Sequence, residues 1–224
     1  MNRLAVLDCD GTLVDSGATI VATVAETFAI HDLEMPAPAV CRGVIGLSLI
    51  EAMARLVPDA AEDDHVRLAE TYKGCFFRAR QAGRVEEPLF DGIIDLLDAL
   101  EAAGWLLAVA TGKSDRGLRH CLDRHDLHAR FVSLQTADQH PSKPDPSMVL
   151  QAIADAGASP QQTLVIGDTT FDMGMARAAG AAALGAGWGY HDDAELLAGG
   201  AHLVARRPDE VMAMLPGLME RIDG

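Results

Sequence analysis

The decisive stretch runs Arg3-Leu4-Ala5-Val6-Leu7-Asp8-Cys9-Asp10-Gly11-Thr12-Leu13-Val14-Asp15. A short, nearly unbroken apolar run reads as a strand buried on both faces, the habit of parallel sheets. It stops at Asp8. Ligands of open α/β sheets bind beyond the carboxyl ends of the strands, so Asp8 and Asp10 stand where a ligand would. Acids two apart on a strand share a face, but here the strand is ending. Gly11 lets the chain turn, and both carboxylates can then approach one ligand. Two carboxylates beside apolar strands are costly unless a cation compensates them.

The same pattern, an apolar run ending in polar residues or glycine, recurs at Trp105–Ala110, Phe131–Leu134 and Thr163–Ile166, and more weakly at Ala181–Leu184 and His202–Val204. Helical periodicity fills the gaps. In Asp91–Ala103, the residues Ile93, Leu96, Leu97 and Leu100 form one stripe, with Gly104 at the C-cap position. Further helices are expected over Pro146–Ala156, from Phe171 to before Gly180, and over Pro208–Ile222 with an interruption at Pro216. Alternating strands and helices predict a doubly wound α/β parallel sheet with a Rossmann-like core. Residues 16–84 break the alternation. They carry no convincing strand and read as helices near Thr19–Ile30, Ser48–Leu56 and Glu62–Gln81. The expected organisation is therefore a catalytic core of residues 1–15 and 85–224 and an inserted all-helical cap of residues 16–84. Its hinges fall near Val14–Gly17 and Ala82–Pro88.

Composition narrows the function. The chain of 224 residues is 49% apolar, enough for a sizeable core, and it has no low-complexity tract. Thirty-three acids against 18 basic residues give a formal charge of −15. That balance opposes nucleic-acid binding and docking on anionic lipid, so neither a nucleic acid nor a membrane is expected as a partner. An anionic substrate would be repelled at long range, and a phosphate site here must bring its own positive charge. Cys9, Cys41, Cys75 and Cys121 form no CxxC pair and read as reduced thiols. The opening apolar run is too short for a signal peptide, and no apolar span is long enough to cross a bilayer. A cytoplasmic location is expected. Nothing in the sequence sets the oligomeric state.

Three more segments carry chemistry. Ala110-Thr111-Gly112-Lys113-Ser114 lies at a strand end before a helix, where a hydroxyl and free N–H groups suit an anion. Ser142-Lys143-Pro144-Asp145-Pro146 holds a lysine between prolines, a compact point charge for phosphate. Gly167-Asp168-Thr169-Thr170-Phe171-Asp172 brings a second pair of acids to a strand end. Carboxylate oxygens favour a hard cation such as Mg²⁺. Taken singly, each segment is bland, for a strand-end Asp is often only a helix cap. Their order, and their shared position at one end of the sheet, gives them weight.

On these residues the chain resembles the haloacid dehalogenase superfamily of hydrolases, over nearly its whole length. Asp8 and Asp10, Thr111, Lys143, and Asp168 with Asp172 match its four motifs. Within it the chain is most similar to the phosphoglycolate phosphatase-like branch, which carries a helical cap after the first motif. Phe90-Asp91-Gly92, Ile45-Gly46-Leu47-Ser48-Leu49 and Trp188-Gly189-Tyr190 add to the likeness. The resemblance implies a Mg²⁺-dependent phosphatase acting on a small phosphorylated metabolite, with 2-phosphoglycolate as the first candidate. Asp8 would be the nucleophile that becomes phosphorylated, and Asp10 the acid and base. Asp8, the Asp10 backbone carbonyl and Asp168 would hold Mg²⁺, with Asp172 ordering the site behind them. Gly11, Thr111, Gly112 and Lys143 would surround the phosphoryl group. Arg42, shortly before Gly46, is a candidate for binding the rest of the substrate.

Other readings stay open. A phosphosugar mutase uses the same two acids, and a pyrophosphatase or a non-catalytic phospho-aspartate receiver shares part of the pattern. The absence of a second acid marks dehalogenases in this superfamily, so Asp10 points to phosphoryl transfer. Gly185-Ala186-Gly187-Trp188-Gly189 does not follow the first strand as a dinucleotide loop would. His120, His125 and His128 read as solvated or capping residues, and Cys9 as packed into the sheet.

Overall fold

The computed structural model describes residues 2–220. Six strands form a single parallel sheet: β1 (Asn2–Leu7), β2 (Trp105–Thr111), β3 (Phe131–Thr136), β4 (Ala158–Gly167), β5 (Ala182–Ala186) and β6 (Leu203–Ala205). Their spatial order is β3-β2-β1-β4-β5-β6. Every strand predicted from an apolar run is present, including the two weak ones. The sheet is buried on both faces, as such runs require. Ala5, Leu7 and Val109 pack on one side against α5 (Ile93–Ala102), α6 (Asp115–Arg124) and α10 (Val211–Glu220). Leu4, Val6 and Val165 pack on the other against α7 (Ser147–Ala156) and α8 (Thr170–Ala178), and α9 (Asp193–Ala198) adds Leu196.

Four helices intervene between β1 and α5: α1 (Gly17–Ile30), α2 (Pro38–Arg42), α3 (Leu49–Leu56) and α4 (Glu62–Gln81). They bury an apolar cluster of their own, with Val24, Phe28, Cys41, Met53, Leu68 and Ala69 at its centre. The chain leaves the sheet and returns to it side by side. Val14 bridges Leu89, Asp15 N–H donates to Pro88 O at 2.8 Å, and Phe90 N–H donates to Leu13 O at 3.1 Å.

The last helix differs from expectation. Residues Pro208–Glu210 form a 3₁₀ turn, and α10 runs through Pro216 without a break. Its expected end at Ile222 lies outside the described residues. The short helices α2 and α9 were not legible, because neither is long enough to show a period. Among the described residues, no helix is long and apolar enough to cross a membrane.

Candidate active site

β1 is the switch point of the sheet, with β2 on one side and β4 on the other. The loops after these strands carry Asp8, Thr111 and Asp168 to one place. Asp8 is 2% exposed and Asp168 and Asp172 are fully buried. One carboxylate oxygen from each of the three lies within 4.8 Å of the other two. Lys143 joins them, with Nζ 2.8 Å from Asp8 Oδ1 and 2.6 Å from Asp172 Oδ1.

The partners sort the acids. Asp172 is spent: Oδ1 faces Lys143, and Oδ2 accepts from Thr169 N–H at 3.0 Å and Thr169 Oγ1 at 2.7 Å, the box that caps α8. Asp168 accepts from Thr12 Oγ1 at 2.8 Å through Oδ1 and from Tyr190 N–H at 3.0 Å through Oδ2. Asp8 is different. Neither of its oxygens accepts a well-aligned hydrogen bond, despite the nearby ammonium group. Buried carboxylate oxygens without donors carry lone pairs that a hard cation would use. The site therefore fits Mg²⁺, with Asp8 and Asp168 the acids best able to hold it.

Electrostatics agree. Burial pushes the Asp8 carboxyl up to about 7, with Asp172 and Asp10 adding to the rise and Lys143 opposing it. Burial, then Asp8 and Asp172, hold Asp168 well above the usual carboxylate range. Burial alone would lower the Lys143 ammonium, but Asp172 and Asp8 reverse that and raise it. Lys143 thus stays charged.

The glycines are dictated by space. Gly11 has φ +93°, and a Cβ there would stand 2.1 Å from Asp168 Oδ2. A Cβ on Gly112 would stand 2.3 Å from Leu47 O and 2.7 Å from Gly46 O, in the loop that precedes α3. That loop reaches down onto the strand ends, and Ser48 N–H donates to Ser142 Oγ at 2.8 Å. Thr111 closes β2, buried, with Oγ1 accepting from Lys113 N–H at 3.2 Å. The cap of α6 is Ser114, not Thr111.

Asp10 is held at the edge of the cluster. Its Oδ1 accepts from Ser16 Oγ and lies 2.8 Å from Lys113 Nζ. Lys113 in turn meets Glu87 Oε1 at 2.7 Å. Neither Lys113 nor Glu87 was singled out from the sequence. Lys113 stands inside the Thr111 motif, and Glu87 directly before Pro88, but only the fold pairs them. Arg42 ends α2 on the surface and does not line the cavity beside Asp10. His125 Nε2 pairs with Glu87 O and His128 Nδ1 with Asp123, while Cys9 lies buried with Sγ 3.9 Å from Cys121 Sγ. All four cysteines are free.

Comparison with known proteins agrees with this geometry. The pattern of the haloacid dehalogenase-like hydrolases matches residues 5–186. The chain is 34% identical to "Probable phosphatase IndB" of Dickeya dadantii, over 98% of this chain and 96% of that one. It is 30% identical to the phosphoglycolate phosphatase of Agrobacterium fabrum, over 99% and 94%. A hydrolase from Pseudomonas syringae of known structure superposes with a TM-score of 0.84 at 26% identity, covering 97% of this chain and 99% of that one. With the fold, the four motifs and these relatives in agreement, the chain belongs to the haloacid dehalogenase-like hydrolases.

Proposed function

We propose that the protein is a Mg²⁺-dependent phosphatase that hydrolyses a phosphate monoester through a phosphorylated Asp8. The observation that carries the reading is the pair of buried Asp8 oxygens that accept no well-aligned hydrogen bond, beside Asp168 and Lys143. Asp8 and Asp168 would hold the metal together with the Asp10 carbonyl, and the metal would offset charge on the phosphoryl oxygens. Lys143, Thr111 and the Gly112 N–H would hold those oxygens.

In the first step an Asp8 oxygen attacks phosphorus, the bond to the ester oxygen breaks, and Asp10 gives that oxygen a proton. In the second, Asp10 takes a proton from water, whose oxygen attacks phosphorus and releases Asp8 and inorganic phosphate. Help of this acid–base kind is worth about 10²–10⁴-fold. Residues 16–84 would act as a cap that closes over these steps and keeps bulk water out. The names of the relatives make 2-phosphoglycolate the reference substrate.

The test is turnover of 2-phosphoglycolate and p-nitrophenyl phosphate with Mg²⁺ and after exhaustive chelation. Net release of inorganic phosphate that stops on chelation and returns with Mg²⁺ is expected, and net release separates hydrolysis from a mutase. Full activity in chelator would remove the metal from the mechanism. A phosphoenzyme that persists in Asp8→Asn would remove Asp8.

A further inference from the structure

Between α1, α3, α4 and the loop after β2 lies a cavity of about 730 Å³. Its volume falls in the range that holds drug-sized ligands, far more than a two-carbon glycolate needs. It opens on Asp10, Gly112 and Lys113, so it lies where the departing alcohol would be. Much of its wall within the helical segment is apolar: Ile20 and Val24 from α1, Leu49 and Met53 from α3, Tyr72 and Phe76 from α4. The Tyr72 and Phe76 rings lie stacked, 6.0 Å between centroids.

The charges nearest Asp10 lie close to one another. Lys113 lies between Asp10 at 2.8 Å and Glu87 at 2.7 Å. Arg80 stands over the Phe76 ring at 5.0 Å and faces the other Glu87 oxygen at 3.4 Å. Glu87 has no exposed side-chain surface and faces both cations. Lys73 and Arg116 belong to the exposed rim, where Lys73 pairs with Glu70 and Arg116 stacks on Phe77. A carboxylate entering here would be desolvated against the apolar wall and beside Asp10.

We propose that the cavity selects phosphomonoesters of uncharged alcohols of aromatic-ring size, and discriminates against leaving groups that carry a carboxylate. The ring packs on Tyr72 and Phe76. The proposal rests on the phosphatase reading above and assigns its substrate class.

The test compares kcat/KM of the intact protein with Mg²⁺ on 4-methylbenzyl phosphate, 4-carboxybenzyl phosphate and 2-phosphoglycolate. The two benzyl esters have similar leaving oxygens and differ in charge. A preference of about tenfold or more for the methyl ester over the other two is expected, the scale at which pocket contacts discriminate. Phe76→Ala should lower kcat/KM on the methyl ester about tenfold more than on 2-phosphoglycolate. Glu87→Gln, which leaves Lys113 and Arg80 with a surplus of positive charge, should shift the ratio of the two benzyl esters toward the carboxylate. A carboxylate ester used as well as the methyl ester, or equal losses on all substrates in Phe76→Ala, would overturn the proposal while the phosphatase reading stands. Absence of turnover on every ester, p-nitrophenyl phosphate included, would overturn both. If Glu87→Gln does not fold, Phe76→Ala and the wild-type ratio decide.

Discussion

Asp8→Asn should make the metal-free protein more stable while ending catalysis. The reasoning starts from the Asp8 carboxyl, which burial pushes from an ordinary 3.8 to about 7. A raised acid favours the folded state only while it is protonated. As pH climbs from about 4 through 7, the unfolded chain releases this proton first, and the folded state loses stability relative to it. The gap between 3.8 and about 7 corresponds to roughly 4 kcal/mol lost by pH 8. Asparagine carries no charge, and its amide can donate to the buried acids around it. Lys143 loses one partner but keeps Asp172 at 2.6 Å, so part of the gain is returned. A net stabilisation of about 2–3 kcal/mol at pH 8 in chelator is expected, a Tm rise of roughly 5–10 °C for a chain of this size. The assay is a set of thermal melts of both proteins in chelator from pH 5 to 8, repeated with Mg²⁺. The difference should shrink toward pH 5, where wild-type Asp8 is protonated. Mg²⁺ should also narrow it by stabilising wild type more, by about 2.7 kcal/mol at a hundredfold excess over Kd. An Asn variant that melts below wild type at pH 8 without metal, or a difference that ignores pH, would refute the account of Asp8 as a buried acid whose charge Lys143 only partly offsets.

Two further outcomes follow from the same geometry. Asp10→Asn should slow esters of poor leaving groups by about 10²–10⁴-fold but spare p-nitrophenyl phosphate more, because p-nitrophenolate departs without a proton; an equal loss across a leaving-group series would count against its acid role. Gly112→Ala places a methyl group 2.3 Å from Leu47 O, so it should hold the 43–48 loop off the strand ends and lower kcat/KM by about 10²-fold, the scale for a displacement of about 1 Å at reacting groups. Wild-type kinetics from that variant would show that the loop contact is not needed for turnover.

The sheet was legible because its strands carry short apolar runs, and those of β1, β2 and β4 lead straight to Asp8, Thr111 and Asp168. Val6 and Val165 pack on one face and Leu7 and Ile166 on the other, so the run needs no polar interruption. The four motifs were legible for the same reason: a strand end is a fixed address in a parallel sheet. What escaped was everything that depends on a partner remote in sequence. Glu87 looks like a solvent-facing acid in a Glu-Glu-Pro hinge until the fold buries it against Lys113 and Arg80. Thr12 and Tyr190 are ordinary loop residues until they close on Asp168 from two sides. Arg42 was drawn into the candidate list by its distance from Gly46 along the chain, but α2 turns it to the surface.

The loop formed by residues 43–48 joins the helical segment to the strand ends. Its backbone touches the loop of each later motif in turn. Leu47 O lies against Gly112, Ser48 N–H bonds to Ser142, and a Cβ on Gly46 would stand 3.3 Å from Thr169 Oγ1. Thr169 is the residue whose hydroxyl and N–H hold Asp172, which in turn faces Lys143. Seating this loop therefore brings one short segment against the loops that follow β2, β3 and β4. On the other side of the same loop, Leu49 and Met53 of α3 open the apolar cavity. One short segment thus faces the charged phosphoryl site with its backbone and leads into the helix that meets the leaving group with apolar side chains. That is why a ligand filling the cavity and a ligand filling the phosphate site should favour the same seated position of the loop, and why binding energy from the alcohol half of a substrate can be spent on ordering the half that reacts.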